Sequence, residues 1–293
     1  MSRIKNFIRN INYLTKHSLW DQREEDIVYL TNKILDDGIY EYGLNLQQYN
    51  DLHVLNQEES IERIVNSNKS FVRFCDGEIN LMNGIDQPFQ QYNEELVDRL
   101  YRILRTPRED LLVGLNQHYF GPGYMYSNFD YNRRHAYEFR KFFKKYCDEN
   151  ATYIDGQCTF YEFGNNGYKT IEFWKKWKEA FRGKDIVIVC GEGILDKLEY
   201  DVFDYANSKK YIYGPSRHAW NKHEEIINKI KNETTTDQLL VFILGMAGKA
   251  MIPEVTDMGY HAWDIGHLAK SYNAYMTNMN PTEENIRDFF APD

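Results

Sequence analysis

The run FVRFCDGEIN, residues 71–80, ends an apolar stretch in two carboxylates, Asp76 and Glu78, set one residue apart around Gly77. Acids so spaced, with a glycine that permits close approach, can share a hard divalent cation whose other ligands are diphosphate oxygens. Mg2+ or Mn2+ suits such an oxygen set. The same spacing also suits a helix start, with Asp76 as N-cap and Glu78 as a first-turn acid, together worth about 1 kcal/mol. Spacing alone leaves both open.

Four other stretches carry groups of the same kind. Gly191-Glu192-Gly193 follows the apolar run DIVIVC, and Glu192 can accept from a ribose hydroxyl or an arginine. GPSRHAW, residues 214–220, contains Ser216, a helix cap or a phosphate contact. In LGMAGKA, residues 244–250, Gly245 and its small neighbours let backbone approach a ligand at a helix start, with Lys249 as a phosphate partner. The GxxxxGK[ST] spacing of a Walker loop is absent. In YHAWDIGHL, Asp264 and His267 stand three apart around a glycine, and His267 suits a metal, a phosphate, a base role or a structural one. Arg73, just before the DGE, either reaches a diphosphate or pairs with a nearby acid.

The elements that must position these groups alternate. Helical periodicity in 57–69, 94–106, 133–147, 168–181 and 223–231 separates the apolar runs SFVRFC, DLLVGLN, ATYIDG, DIVIVC, KKYIYG and QLLVFI. Strand, glycine turn and helix in repetition predict an α/β fold, a Rossmann-like, mostly parallel sheet with helices on both faces. Ligands of such sheets sit outside the carboxyl ends of the strands, where every motif above falls. A Gly/Pro/aromatic loop between Tyr119 and Tyr131 is expected to shape a site. Residues 1–56 read instead as an N-terminal helical arm, basic and amphipathic in its first stretch. Such an arm packs on its own domain, on a second copy in a homo-oligomer, or peripherally on an acidic membrane face. The expected division is 1–56 arm and 57–293 catalytic domain.

Composition narrows the classes. The 42% hydrophobic and 27% charged content is that of a globular chain. A net charge of −9 argues against a non-specific nucleic-acid binder. The four cysteines show no zinc spacing and read as reduced thiols. With no apolar stretch of membrane-span length and no signal-like start, the expectation is cytoplasmic, with the arm at most at the inner face of the membrane.

In order, RFCDGE, IVCGEG, GPSRHAW, LGMAG and GYHAWDIGHL resemble the GT-D fold glycosyltransferases, a family once catalogued as DUF1792, over about Ser60 to Tyr275. The resemblance implies a UDP-sugar donor, often UDP-glucose, and transfer to a growing glycan. It also implies a metal and nucleotide-sugar site at Asp76 and Glu78. Three departures stand out. Leu195 takes the place of an expected arginine, with Lys197 the nearby cation; Met246 and Ala247 replace a proline and a hydroxyl residue. Ala269, Ser271 and Asn273 stand where acids usually follow DIGH, one of them a candidate general base, which leaves His267 and Asp264 as the nearest substitutes. The leading expectation is metal-dependent transfer of a hexose from a UDP-sugar to a cell-surface glycan or glycoprotein intermediate. Its rivals are a metal-dependent phosphohydrolase or nucleotidyl enzyme, and a non-catalytic glycan-assembly subunit.

Overall fold

A computed structural model describes residues 52–120, 130–160 and 171–279. Eight strands form one all-parallel sheet in the order β1-β4-β3-β2-β8-β7-β5-β6. They are β1 (His53–Val54), β2 (Ser70–Phe74), β3 (Leu111–Leu115), β4 (Thr152–Asp155), β5 (Asp185–Gly191), β6 (Ser208–Gly214), β7 (Leu239–Ile243) and β8 (His261–Asp264). The helices are α1 (Gln57–Val65), α2 (Asp76–Met82), α3 (Glu94–Arg105), α4 (Asp130–Tyr146), α5 (Ile171–Phe181), α6 (His223–Glu233), α7 (Gly245–Asp257) and α8 (Leu268–Met276).

The apolar runs bury both faces of the sheet because alternate residues feed two separate cores. Val72, Phe74, Val187, Val189, Leu240 and Phe242 join residues of α2, α3, α4, α6 and α7 on one face. Phe71, Ile186, Ile188, Leu239, Val241 and Trp263 meet Trp174 and Trp177 of α5 and residues of α1 and α8 on the other. At about 25 cal/mol per Å2, each fully buried strand residue of this size contributes roughly 2 kcal/mol against exposure.

Helix starts follow local chemistry. Asn56 caps α1 by accepting from the Glu59 amide, and Glu59 returns the bond to the Asn56 amide. Asn93 caps α3 through the Leu96 amide, with Glu94 and Glu95 in the first turn and Arg102 and Arg105 in the last.

Two strands were not foreseen. β8 is four residues long and lies inside the HAWD segment, where aromatic and polar residues break the plain apolar run. β1 is two residues, paired in parallel with β4, and with buried Leu52 it ties residues 52–56 to the sheet. The rest of the expected N-terminal arm, and most of the 119–131 loop, lie outside the described residues.

Two junctions in this order matter for the site. β8 pairs with β2, which brings residues 264–267, far along the chain, beside residues 73–78. β5 and β7 are neighbours, yet the chain leaves β5 toward β6 and leaves β7 toward β8, in opposite directions. A crevice opens at such a divergence, at the carboxyl ends of the strands.

Candidate functional site

The DGE segment begins α2. Cys75 occupies the N-cap position, Asp76 is the first helical residue and Glu78 the third. Asp76 is therefore not the cap that spacing alone allowed; it is half-buried at the helix N-terminus, where free amides favour an anion. Burial raises its pKa first, the neighbouring Glu78 carboxylate adds to this, and the amides of Gly77 and Asp76 oppose it. Such a carboxyl gains from an approaching cation.

Glu78 points elsewhere. It is buried, its Oε2 accepts from the Cys75 amide at 2.8 Å, and its Oε1 meets Lys249 Nζ at 2.5 Å. Lys249 enters from the first turns of α7, itself buried, and lies 3.8 Å from Asp264 Oδ2. Burial opposes its charge, but the carboxylates of Glu78 and Asp264 outweigh that and raise its pKa. Asp264, at the end of β8, also accepts from the Arg73 amide at 3.1 Å and faces Arg73 Nη2 at 3.2 Å. Arg73 completes its fork with Nε to the Asp264 carbonyl at 2.9 Å and Nη1 to the Gly156 carbonyl at 3.1 Å.

Four of the sequence-derived site residues thus form one buried chain of alternating charge, Arg73–Asp264–Lys249–Glu78, two cations against two carboxylates. Buried charges persist only when paired in this way. Of the two roles open to Arg73, the structure shows the salt bridge. Lys249, expected at a phosphate, is engaged by the two acids.

Gly266 explains the glycine of DIGH. Its φ is +47°, and a Cβ there would stand 2.0 Å from Arg73 Nη2. The RFCDGE and DIGH motifs are two halves of one packing unit. Gly156 is similarly confined, since a Cβ would come within 3.2 Å of backbone atoms of Asn116, Leu115 and Phe74.

His267 stands at the N-cap of α8, half-buried, with its ring 6.1 Å from that of Phe160. Burial, then the nearby cations Lys270, Arg73 and Lys249, lower its pKa to about 3. The imidazole is neutral at physiological pH and holds a proton weakly. Asn273 is one turn into α8, where its Oδ1 accepts from the amides of Glu199 and Tyr200 at 2.8 and 3.0 Å. Asn273 thereby ties down the loop after β5.

The other motifs lie at the carboxyl ends of β5, β6 and β7. Gly191 lets the loop after β6 lie against the end of β5, since a Cβ would stand 2.7 Å from Ser216 Cα. Glu192 and Ser216 line a cleft of about 690 Å3 with Tyr213, Arg217, Lys222 and Lys229, whereas Asp76 does not border it. Gly245 starts α7 with φ +54° under the ring of Phe89.

Two features were missed in the sequence. His218 adopts φ +53°, its amide donates to the Phe89 carbonyl at 2.7 Å, and its Nδ1 accepts from the Gln91 amide at 3.1 Å. It draws the GPSRH loop across to the segment after α2, linking the two halves of the sheet edge. No sequence pattern marks a left-handed histidine. Asp155 is fully buried at the end of β4, and its Oδ1 accepts from the Gln117 and Gln157 amides, both at 3.0 Å. TYIDG repeats the strand-Asp-Gly pattern of VRFCDG, and that signal was readable.

Among the described residues no group of three or more His, Cys, Asp or Glu side chains is placed to hold a metal. Asp76 fits a hard divalent ion as a single carboxylate, in the manner of sites completed by phosphate oxygens and water.

A profile of the family described as "Glycosyltransferase GT-D fold" matches residues 71–286. The chain belongs to the GT-D fold glycosyltransferases. A solved structure of the domain of unknown function 1792, described as having a distinct glycosyltransferase fold, is 30% identical with a TM-score of 0.70, over 80% of this chain and 84% of that one. A DUF1792 glycosyltransferase from Streptococcus sanguinis is 26% identical with a TM-score of 0.71, over 78% and 87%. The chain is also 29% identical to glycosyltransferase GlyD of Streptococcus pneumoniae serotype 4, over 73% of this chain and 26% of that protein. It is 27% identical to the probable glycosyl transferase Gly of Streptococcus gordonii, over 82% and 35%. The match thus spans about a quarter to a third of these longer relatives.

Proposed function

We propose that the protein transfers a hexose, glucose in the first instance, from a UDP-sugar to a glycan or glycoprotein intermediate, with Mn2+ or Mg2+ as cofactor. The observation that carries this reading is Asp76: a carboxylate at a helix N-terminus on the carboxyl edge of the sheet, beside the junction of β2 and β8, in a chain of this family. The end of β5, with Gly191 and Glu192, lies three strand positions from β2, about 14 Å along the same edge. A donor with its diphosphate near Asp76 and its nucleoside toward Gly191, Glu192 and Ser216 would lie along that edge.

A bound divalent ion would supply Lewis-acid neutralisation of the charge developing on the departing diphosphate. The chain's own residues orient. Glu78 and Lys249 fix the start of α2, and Arg73 and Asp264 lock β2 to β8, so that Asp76 is held before substrate arrives. Asp264 is buried and already engaged by Arg73 and Lys249, and it serves as a positioning residue. His267 is accessible but binds protons too weakly for an efficient base near neutrality, and its neutral ring suits a hydrogen bond to a substrate hydroxyl better.

Release of UDP from a panel of UDP-sugars, with Mn2+ and with and without oligosaccharide acceptors, tests the reading. Acceptor-stimulated UDP release that is lost in Asp76→Asn supports it. Release of phosphate or nucleotide without an acceptor would favour a hydrolase, and absence of turnover with every donor a non-catalytic subunit.

A further inference from the structure

The two acids of the DGE motif are not equivalent in this chain. Glu78 is 4% exposed and Lys249 is 7% exposed, and the pair closes at 2.5 Å inside the core-facing side of α2. The second oxygen of Glu78 is engaged by the Cys75 amide at 2.8 Å, the bond that anchors the first turn. Lys249 cannot readily turn away, because its helix is buried at Met246, Ala247, Ala250 and Met251, and Asp264 holds its ammonium from the other side at 3.8 Å. A divalent ion on Glu78 Oε1 would place a second cation on an oxygen that already meets an ammonium, in a region with little water to screen the repulsion. Asp76 differs on each count. It is half-buried, forms no ion pair among the described residues, and sits at the helix N-terminus.

We propose that Lys249 is the permanent cation of Glu78, so that the motif offers a divalent ion one protein carboxylate, Asp76, while Glu78 is a positioning residue that holds the start of α2. The metal half of this inference rests on the metal-assisted transfer proposed above; the pairing of Glu78 with Lys249 does not.

The test uses the full chain as Glu78→Gln, Lys249→Met, the double variant and Asp76→Asn. Urea unfolding without metal closes a double-variant cycle. The two single variants should each lower the midpoint, and the double variant should lose less than their sum, because it leaves neither charge stranded. Mn2+ binding in the presence of UDP is then read by electron paramagnetic resonance. Affinity should stay within threefold of the parent in Glu78→Gln and fall at least tenfold in Asp76→Asn. Additive losses in the cycle, or a tenfold loss of Mn2+ affinity in Glu78→Gln at an unchanged midpoint, would overturn the proposal. A parent protein that binds no Mn2+ with UDP would sink the metal reading and with it the assignment to Asp76, and the cycle would still decide the pairing.

Discussion

Arg73 and Asp264 hold β2 and β8 together by three contacts: the Arg73 amide on Oδ2 at 3.1 Å, Nη2 on Oδ1 at 3.2 Å, and Nε on the Asp264 carbonyl at 2.9 Å. The pair joins residues 191 positions apart, and both are buried. Asp264 also faces Lys249. Truncating it would leave the buried Arg73 without its carboxylate and Lys249 with Glu78 alone.

Asp264→Ala should therefore cost about 3–5 kcal/mol of stability, the range for breaking a buried ion pair from one side. Asp264→Asn keeps an acceptor for the Arg73 amide and should cost less. Arg73→Lys should also destabilise, because an ammonium cannot reach both Asp264 and the Gly156 carbonyl as the guanidinium fork does. Urea unfolding of the three variants checks the order.

Gly266→Ala makes the same point from the backbone. The added methyl meets Arg73 at 2.0 Å and the residue must hold φ +47°. A loss of roughly 2 kcal/mol or more is expected. Its thermal midpoint should fall further than that of Gly84→Ala, which also has positive φ but nothing within 4 Å of the new methyl.

His267 gives a pH dependence. Its folded pKa of about 3 lies below the ordinary imidazole value of 6.5, so between these values the unfolded chain binds a proton that the folded chain refuses. The stability is present in full above pH 6.5 and is lost as pH falls toward 3. Asp76 has a raised pKa and opposes this trend at acid pH, so the parent is best compared with His267→Gln, in which Asp76 is unchanged. Between pH 7 and pH 5 the parent should lose about 2 kcal/mol more than the variant. Equal slopes by urea unfolding at both pH values would refute the assignment.

The sheet was legible because its strands are buried on both faces and read as continuous apolar runs, as in Ile186 to Cys190 and Leu239 to Ile243. β8 hid because only Ala262 and Trp263 are apolar within it. At the site, Arg73, Asp76, Glu78, Lys249, Asp264 and His267 all lie at or just beyond the carboxyl ends of β2, β7 and β8, the region to which strand and turn spacing assigned their motifs. What spacing did not disclose was pairing. Whether a carboxylate faces a substrate or a neighbouring cation depends on which strand lies alongside, and β2 meets β8 only through the order of the whole sheet.

Asn273 separates chemistry from architecture. Its Oδ1 binds the Glu199 and Tyr200 amides, and a carboxylate could do the same. Asn273→Asp should leave the thermal midpoint within a degree or two and raise turnover less than twofold, because an acid there would remain engaged by backbone. Asn273→Ala should cost about 1–2 kcal/mol by leaving two amides without their acceptor. A large gain in UDP release from Asn273→Asp would show instead that the position reaches the acceptor.

Gly191→Ala tests the far half of the edge. The new methyl would stand 2.7 Å from Ser216 Cα and 2.5 Å from Ile194 Cδ1; the isoleucine tip can move aside, but the Ser216 backbone cannot without shifting the loop after β6. That loop is tied through His218 to Phe89 and Gln91, so displacement at Gly191 is passed toward the segment after α2. If the donor nucleoside binds here, KM for the UDP-sugar should rise about tenfold or more, together with a fall in the thermal midpoint from the clash with the Ser216 backbone. An unchanged KM with reduced kcat would place the nucleoside elsewhere on the edge.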